Sequence, residues 1–307
     1  MLVSSLSKVS VIITTYNVEK YILFALDSVL RQSYKNIEII IVDDCSSDNT
    51  KNILENIGDS RIKIYFNENN KGPSYSRNKG IEKATGKYVA ILDSDDWWED
   101  SRLEKCIEAI EKSNVNVICD DINFIIDGEV NPYSTLFNSK ELKIIKPTSI
   151  PINLFINKDL GLLKPILNRD FIIKNNIKYA EEVKYGEDFL FLLEVLRHGE
   201  VLLIPKGYYN YREREGSLVR NSKILFEGLI NSTTNYLNNE SDTIPLEVQV
   251  LLKSRLERHR NLLTWVLFKE DIKRFKLLSV LKRIITKPKF SLFLIGFLYS
   301  KLKVTGK

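Results

Sequence analysis

Carboxylates gather at three places in this sequence. "IIIVDDCSSDNT" closes an apolar run with Asp43 and Asp44, "AILDSDDWWED" closes another with Asp93, Asp95 and Asp96, and "YGEDFLFLLEVLRHG" sets Glu187 and Asp188 ahead of an apolar helical pattern. Ser47 and Asp48 read as turn formers and helix caps, roles that both residue types favour. Acids directly on a buried strand end are harder to explain that way, because a charge taken out of water needs a partner. If the two strands are near neighbours, like charges converge at one rim. Such crowding calls for a cation, a bound hydroxyl group or a neighbouring base. A hard divalent ion that keeps several waters and also grips a substrate phosphate suits one or two carboxylates. At the third cluster the helix dipole favours an ionised carboxylate, so Asp188 is expected to be available as a base.

Other chemistries fit less well. A helix-loop-helix calcium site needs glycine where Trp98 stands. The first strand leads into "TTYN", without the glycine fingerprint of a dinucleotide site or a Walker phosphate loop. The three cysteines, Cys45, Cys106 and Cys119, are odd in number and show no paired spacing, which suggests neither a disulfide framework nor a thiolate zinc site. They suit a reducing cytoplasm. The start, "MLVSSLSKVSVIITTYN", carries one lysine and no small-residue cleavage site, unlike a signal peptide. His198 and His259 lie in charged helical contexts and read as ordinary surface residues.

The elements that must position these acids follow from periodicity. With 307 residues and 44% apolar content the chain can bury a sizeable core. Short β-branched runs at 9–14, 37–44, 62–66 and 88–93 alternate with amphipathic helical patterns, the mark of an α/β sheet. Between the first two, Val18, Tyr21, Ile22, Ala25, Leu26, Val29 and Leu30 form one apolar stripe at helical spacing. "GPSYSRNKGIEKATG" has a Gly-Pro start and a Gly stop for a second helix, "DSRLEKCIEAIEKS" reads as a third, and "EDFLFLLEVLRHG" as a buried helix closed by Gly199. Further strands are expected at 115–120 and 201–205, and from about Ile224 the pattern is helical only. In open α/β sheets the ligand crevice lies at the carboxyl ends of the strands, where two of the acid clusters fall.

The blocks "VSVIITTYN", "LDSVLRQSYKNIEIIIVDDCSSDNT", "GPSYSRNKGIEKATGKYVAILDSDDWW" and "YGEDFLFLLEVLRHG", in that order and spacing, resemble a family 2 inverting glycosyltransferase of the GT-A fold, of the bacterial polysaccharide-building kind. The likeness covers roughly residues 8 to 220. It departs at Thr14, where proline is commonest, and at Cys45, where glycine is usual, which puts loop geometry in doubt. The resemblance implies a mostly parallel sheet flanked by helices, with a nucleotide-binding part at about 1–120 and an acceptor part at about 121–220, and the helical pattern beyond it reads as an extension at 221–307. It implies that Thr14, Tyr16 and Asp44 line the nucleotide base, most often uracil, and that Arg77 serves the ring or phosphate. Asp93 would bind the ribose, Asp95 a manganese or magnesium ion bridging the two phosphates, and Asp188 would deprotonate the acceptor hydroxyl. The implied reaction moves a sugar, typically a hexose, from a nucleotide diphosphate sugar to a glycan or lipid-linked acceptor. Glu187 reads as a helper, and Arg212 and Ser217 as candidates near the diphosphate or acceptor. Trp97 or Trp98 could floor the acceptor sugar or serve packing alone. Two readings compete: a receiver-type signalling domain, which is shorter and carries its acid pair after the first strand, and a sugar-binding module without a base.

The charge is unevenly placed. Ten Lys/Arg and no Asp/Glu follow Ile272, leaving 35 basic against 40 acidic residues before it. The apolar run Phe290 to Tyr299 within this tail is too short to span a bilayer. It is expected either to pack on the domain or to meet an anionic membrane surface from the cytoplasmic side. No nucleic-acid-binding motif accompanies it.

Overall fold

The structure, a computed structural model, describes residues 7–214 and 221–274. The chain divides into two units, Met1–Arg214 and Glu215–Lys307.

In the first unit the chain runs β1 (Val9–Thr15), α1 (Ile22–Leu30), β2 (Ile37–Asp43), α2 (Thr50–Glu55), β3 (Ile62–Phe66), α3 (Pro73–Lys83), β4 (Tyr88–Asp93), β5 (Trp97–Trp98) and α4 (Arg102–Ser113). It continues through β6 (Val117–Ile126), β7 (Ser134–Thr135), α5 (Leu136–Ser139), β8 (Thr148–Ile150), α6 (Ile152–Lys158), β9 (Ile166–Asn168), α7 (Arg169–Lys174), α8 (Glu187–His198) and β10 (Val201–Glu213). The strands form one sheet in the order β3-β2-β1-β4-β9-β6-β10-β5, with β7 beside β6 and β8 beside β10. Because β9 is antiparallel to both β4 and β6, the longer strands β1, β2, β3, β4, β6 and β10 all point the same way, and only the short ones oppose them. This is the mostly parallel, helix-flanked sheet that the sequence implies.

Burial explains the register. Val11, Ile12 and Ile13 on β1 are fully buried, at about 1.5–3 kcal/mol each, and a one-residue slip would exchange the faces on which they pack. That register sets Thr14 between Val42 of β2 and Asp93 of β4. α3 packs on β1 and β2, and α4 on β6 and β10. The order 3-2-1-4 reverses between β1 and β4, which opens the crevice at their carboxyl ends.

Some boundaries differ from those expected. α1 begins at Ile22 and not at Val18: residues 18–21 form a turn closed by Tyr21 N–H on the Val18 carbonyl at 2.9 Å, with Val18 N–H bonded to Thr50 Oγ1 at 2.9 Å. β10 runs on to Glu213, well past 205. Pro205 and Gly207 look like terminators, but register shifts around Gly207 absorb them. β9, of three residues, has no counterpart in the sequence reading. Gly199 closes α8 with extended backbone at φ −171°, so a left-handed cap does not explain it. A Cβ there would lie 3.0 Å from the Phe171 ring, and the close approach is what calls for glycine.

The second unit contains α9 (Ser222–Asn239) and α10 (Leu246–Lys273). His259 is buried on α10 against Phe226, correcting its reading as a surface residue, whereas His198 is exposed. No helix among the described residues is long and apolar enough to cross a membrane. Ser217 and nearly all of the basic tail lie outside the described residues.

Candidate active site

At the carboxyl end of β2 both acids are held by hydrogen bonds. Asp43 accepts from Thr15 Oγ1 at 2.8 Å and from Ser46 N–H and Oγ at 2.9 and 2.6 Å, which ties the ends of β1 and β2 together. Asp44 is 3% exposed. Its Oδ1 accepts from Asn67 Nδ2 at 2.8 Å and Lys71 N–H at 2.9 Å, and its Oδ2 from Gly72 N–H at 2.7 Å. Gly72 has φ +88°, a conformation that a side chain would strain, and it stands just before Pro73 at the first turn of α3. Asp44 thus clamps the loop that launches α3. Cys45 also lies in the left-handed region, at φ +63°, so the backbone there keeps a glycine-like geometry despite its side chain. Thr14 is half-buried, and Tyr16, just beyond β1, is half exposed.

The second rim is ionic. Arg77 on α3 and Lys164, just before β9, are 5% and 3% exposed. Arg77 Nη2 lies 2.8 Å from Asp93 Oδ1, and its Nη1 lies 3.2 Å from Asp188 Oδ1 and 3.1 Å from Glu187 Oε1. Lys164 Nζ lies 2.7 Å from Asp93 Oδ2 and 2.6 Å from Asp188 Oδ2. Arg77, Asp93, Lys164 and Asp188 therefore close a ring of alternating charge, with Glu187 attached at Arg77. Burial penalises both cations, but Asp188 and Asp93 outweigh it and raise Arg77 and Lys164 above their ordinary values. Burial likewise works against Asp93, yet Lys164 and Arg77 hold its carboxyl well below the usual range. Glu187 is pushed up, first by burial and then by adjacent Asp188. Tyr179 lies under Arg77, its ring centroid 5.2 Å from the guanidinium carbon and 4.0 Å from that of Phe191.

Between β4 and β5 the acids diverge. Asp96 is 1% exposed, accepting from Tyr209 Oη at 2.7 Å and from Arg212 N–H at 2.8 Å. Burial, then Asp95 and Asp93, push its carboxyl well above the ordinary range. Asp95 is more open. Arg214 Nε donates to its Oδ2 at 2.7 Å, while among the described residues nothing hydrogen-bonds to its Oδ1. Arg212 reaches over Trp97, at 4.6 Å from the ring centroid, and pairs with Asp127 at 2.9 Å. Trp98 is buried over Arg102, which places it in packing.

The sequence pattern described as Glycosyl transferase family 2 matches residues 10–165, half of the chain. The chain belongs to that family. It resembles enzymes of polysaccharide synthesis. It is 31% identical over 220 residues to the succinoglycan biosynthesis protein ExoO of Rhizobium meliloti, spanning 69% of this chain and 62% of that protein's length. It is 32% identical over 216 residues to WfgD of Escherichia coli, a UDP-Glc:alpha-D-GlcNAc-diphosphoundecaprenol beta-1,3-glucosyltransferase, spanning 69% of this chain and 80% of that one. In fold it matches S. aureus TarS 1–349, crystallised with UDP-GlcNAc, at a TM-score of 0.62 and 24% identity over 91% of this chain and 73% of that one.

In this family 2 chain, the sheet brings together Arg77, Asp93 and Asp188, with Asp95 two residues past the end of β4. Thr14 adjoins Asp93 across the β1–β4 pair, whereas Tyr16 and Asp44 stand at the rim of β1 and β2. Sequence reasoning missed Lys164, Tyr209 and Arg214. The first had a readable mark, a lone lysine inside the apolar run "GLLKPIL".

Proposed function

We propose that this glycosyltransferase moves a sugar from a uridine diphosphate sugar to a hydroxyl of a glycan or lipid-linked acceptor, with inversion at the anomeric carbon, in cell-surface polysaccharide synthesis. One observation carries the reading: carboxylates from β4 and α8, 95 residues apart in sequence, share two buried cations at the strand ends. The UDP and UDP-GlcNAc complexes of TarS and the UDP-glucose donor in WfgD's name favour the uridine nucleotide. Thr14, Tyr16 and Asp44 are the residues we assign to the base, Arg77 to the nucleotide and Asp93 to the ribose. Asp188 takes the proton of the acceptor hydroxyl as that oxygen attacks in line and the bond from the anomeric carbon to diphosphate breaks. A hydroxyl proton lost late in this step suits a weakly basic carboxylate.

The donor set fits a divalent ion. Such ions are held by one or two carboxylates plus substrate phosphates, and Asp95 has an oxygen without a protein partner among the described residues. Manganese or magnesium bound there would stabilise the charge of the departing diphosphate. Asp96 is buried with its two oxygens taken by Tyr209 Oη and Arg212 N–H, and is a poorer ligand.

The test is thermal stabilisation by a set of nucleotide sugars with and without manganese, on the wild type and on Asp95→Asn. Stabilisation by a uridine diphosphate sugar, with its manganese-dependent part lost in the variant, is expected. The absence of any response to uridine nucleotides would overturn the donor assignment. The basic tail we assign to an anionic membrane surface, at roughly 1 kcal/mol per basic residue near it. Failure of the full chain to sediment with anionic vesicles at low salt would refute that.

A further inference from the structure

Lys164 has no part in the scheme above, yet its ammonium touches two of the carboxylates that the scheme uses. Its Nζ lies 2.6 Å from Asp188 Oδ2 and 2.7 Å from Asp93 Oδ2. Its backbone is anchored independently. Arg102 Nη2 donates to the Lys164 carbonyl at 2.8 Å, and Arg102 is itself held by a fully buried pair with Asp120, at 2.7 Å. β9 then begins two residues later and binds both β4 and β6. The ammonium is therefore delivered to the site from a pinned stretch of main chain, wedged between the strand that carries Asp93 and the next. For stability alone such a buried ion pair is a poor investment, since apolar residues of similar volume often serve as well.

We infer that Lys164 is a positioning residue of the transfer reaction, which orients the Asp188 carboxylate by sharing one ammonium between it and Asp93. This rests on the reading of Asp188 as the base. The groups that face Asp188 are Lys164 before β9, Arg77 on α3, Asp93 on β4, Glu187 on its own helix and Tyr179 in the preceding loop. Arg77 already serves three carboxylates, so Lys164 is the cation whose loss leaves Asp188 short of positive charge. With Lys164 gone, Asp188 Oδ2 loses its 2.6 Å contact and the net charge of the cluster falls by one, which favours a proton among its carboxylates. A cluster that holds that proton turns over poorly until the pH is raised.

The experiment compares Lys164→Met, Lys164→Arg and Asp188→Asn, each first checked for folding by circular dichroism. For Lys164→Met, kcat at neutral pH should fall roughly 10- to 100-fold, part of the 10²–10⁴ that a positioned base contributes. Its acidic limb of kcat should move up by about 1–3 pH units, the usual effect of one nearby charge on a carboxylate. Affinity for uridine diphosphate should change much less than kcat, and Lys164→Arg should restore the wild-type limb. An unmoved limb in a folded Lys164→Met enzyme overturns the proposal, as does a loss confined to nucleotide affinity, which would make Lys164 a donor ligand. If Lys164→Met does not fold, Lys164→Gln, which can still bond either carboxylate, is read by the same two measurements. If Asp188→Asn keeps its turnover, the base assignment itself has failed, and that outcome is distinct from an intact base requirement with an unmoved limb.

Discussion

Two acid pairs stand at the rim of one sheet, and they are neutralised in opposite ways. Asp43 and Asp44 accept hydrogen bonds from backbone N–H groups, two hydroxyls and an amide, with no cationic side chain paired to them among the described residues. Asp93 and Asp188 are bound by Arg77 and Lys164. A carboxylate held by backbone amides cannot change partners without moving a loop, so the first pair is part of the frame even where it also meets a ligand. A carboxylate held by the tips of two long cationic side chains can exchange them for a substrate. The difference separates acids that shape the crevice from acids that can respond to what enters it.

The sharpest break between the two regions is catalytic. Asp188→Asn removes a proton acceptor and should lower turnover by about 10²–10⁴, while uridine diphosphate affinity measured by calorimetry stays close to wild type. If affinity falls and turnover does not, Asp188 is a ligand.

Next come two deletions with different signatures in urea unfolding. Arg77→Met leaves Asp93, Glu187 and Asp188 sharing one cation, and should cost about 3–5 kcal/mol, as when one partner of a buried pair is removed. Asp44→Ala leaves the N–H groups of Lys71 and Gly72 without their acceptor, and should cost about 1–3 kcal/mol. If the order is reversed, the ionic rim is the less important of the two for stability.

The smallest effect is in acid. The folded protein holds Asp93 below its ordinary value, so its stabilising contribution is complete above about pH 4 and is lost as the pH falls further. Glu187 and Asp96 are raised and act in the opposite sense, favouring the folded state at low pH and losing that effect as pH rises through their raised values. Unfolding free energy should therefore drop below pH 4 by at most about 1.4 kcal/mol per pH unit from this one group. Asp93→Asn should drop less steeply, and equal slopes would show that the ring does not govern acid stability.

What could be read from the sequence follows from where the information is local. β1, β2 and β4 are short apolar runs rich in branched residues, and β2 and β4 end in acids, so both strands and rim residues were visible. The crowding of acids at the second rim, and its need for a compensating charge, were visible too. Of the compensating residues, Arg77 was singled out only through the family resemblance, for the nucleotide and not as the partner of these acids, and Lys164 was not singled out at all. Arg77 is on a polar helix that looks solvated, and only the packing of α3 on β1 and β2 buries it. Lys164 comes from the short-element middle of the chain, where three-residue strands are too brief to show a period. Tyr209, which donates to Asp96, stands beyond Pro205 and Gly207, residue types that ordinarily end a strand. In each case the partner is set by long-range pairing, which spacing along the chain does not record.

The left-handed turn at Cys45 has a practical side. Cys106 and Cys119 are buried, and burial pushes their thiols upward and away from reactivity, whereas Cys45 is exposed one residue beyond Asp44. A maleimide dye would therefore attach at one position, beside the pocket assigned to the base, without any engineering of the other cysteines. The native chain carries its own handle for a fluorescent reporter, whose emission could follow nucleotide arrival and release in real time.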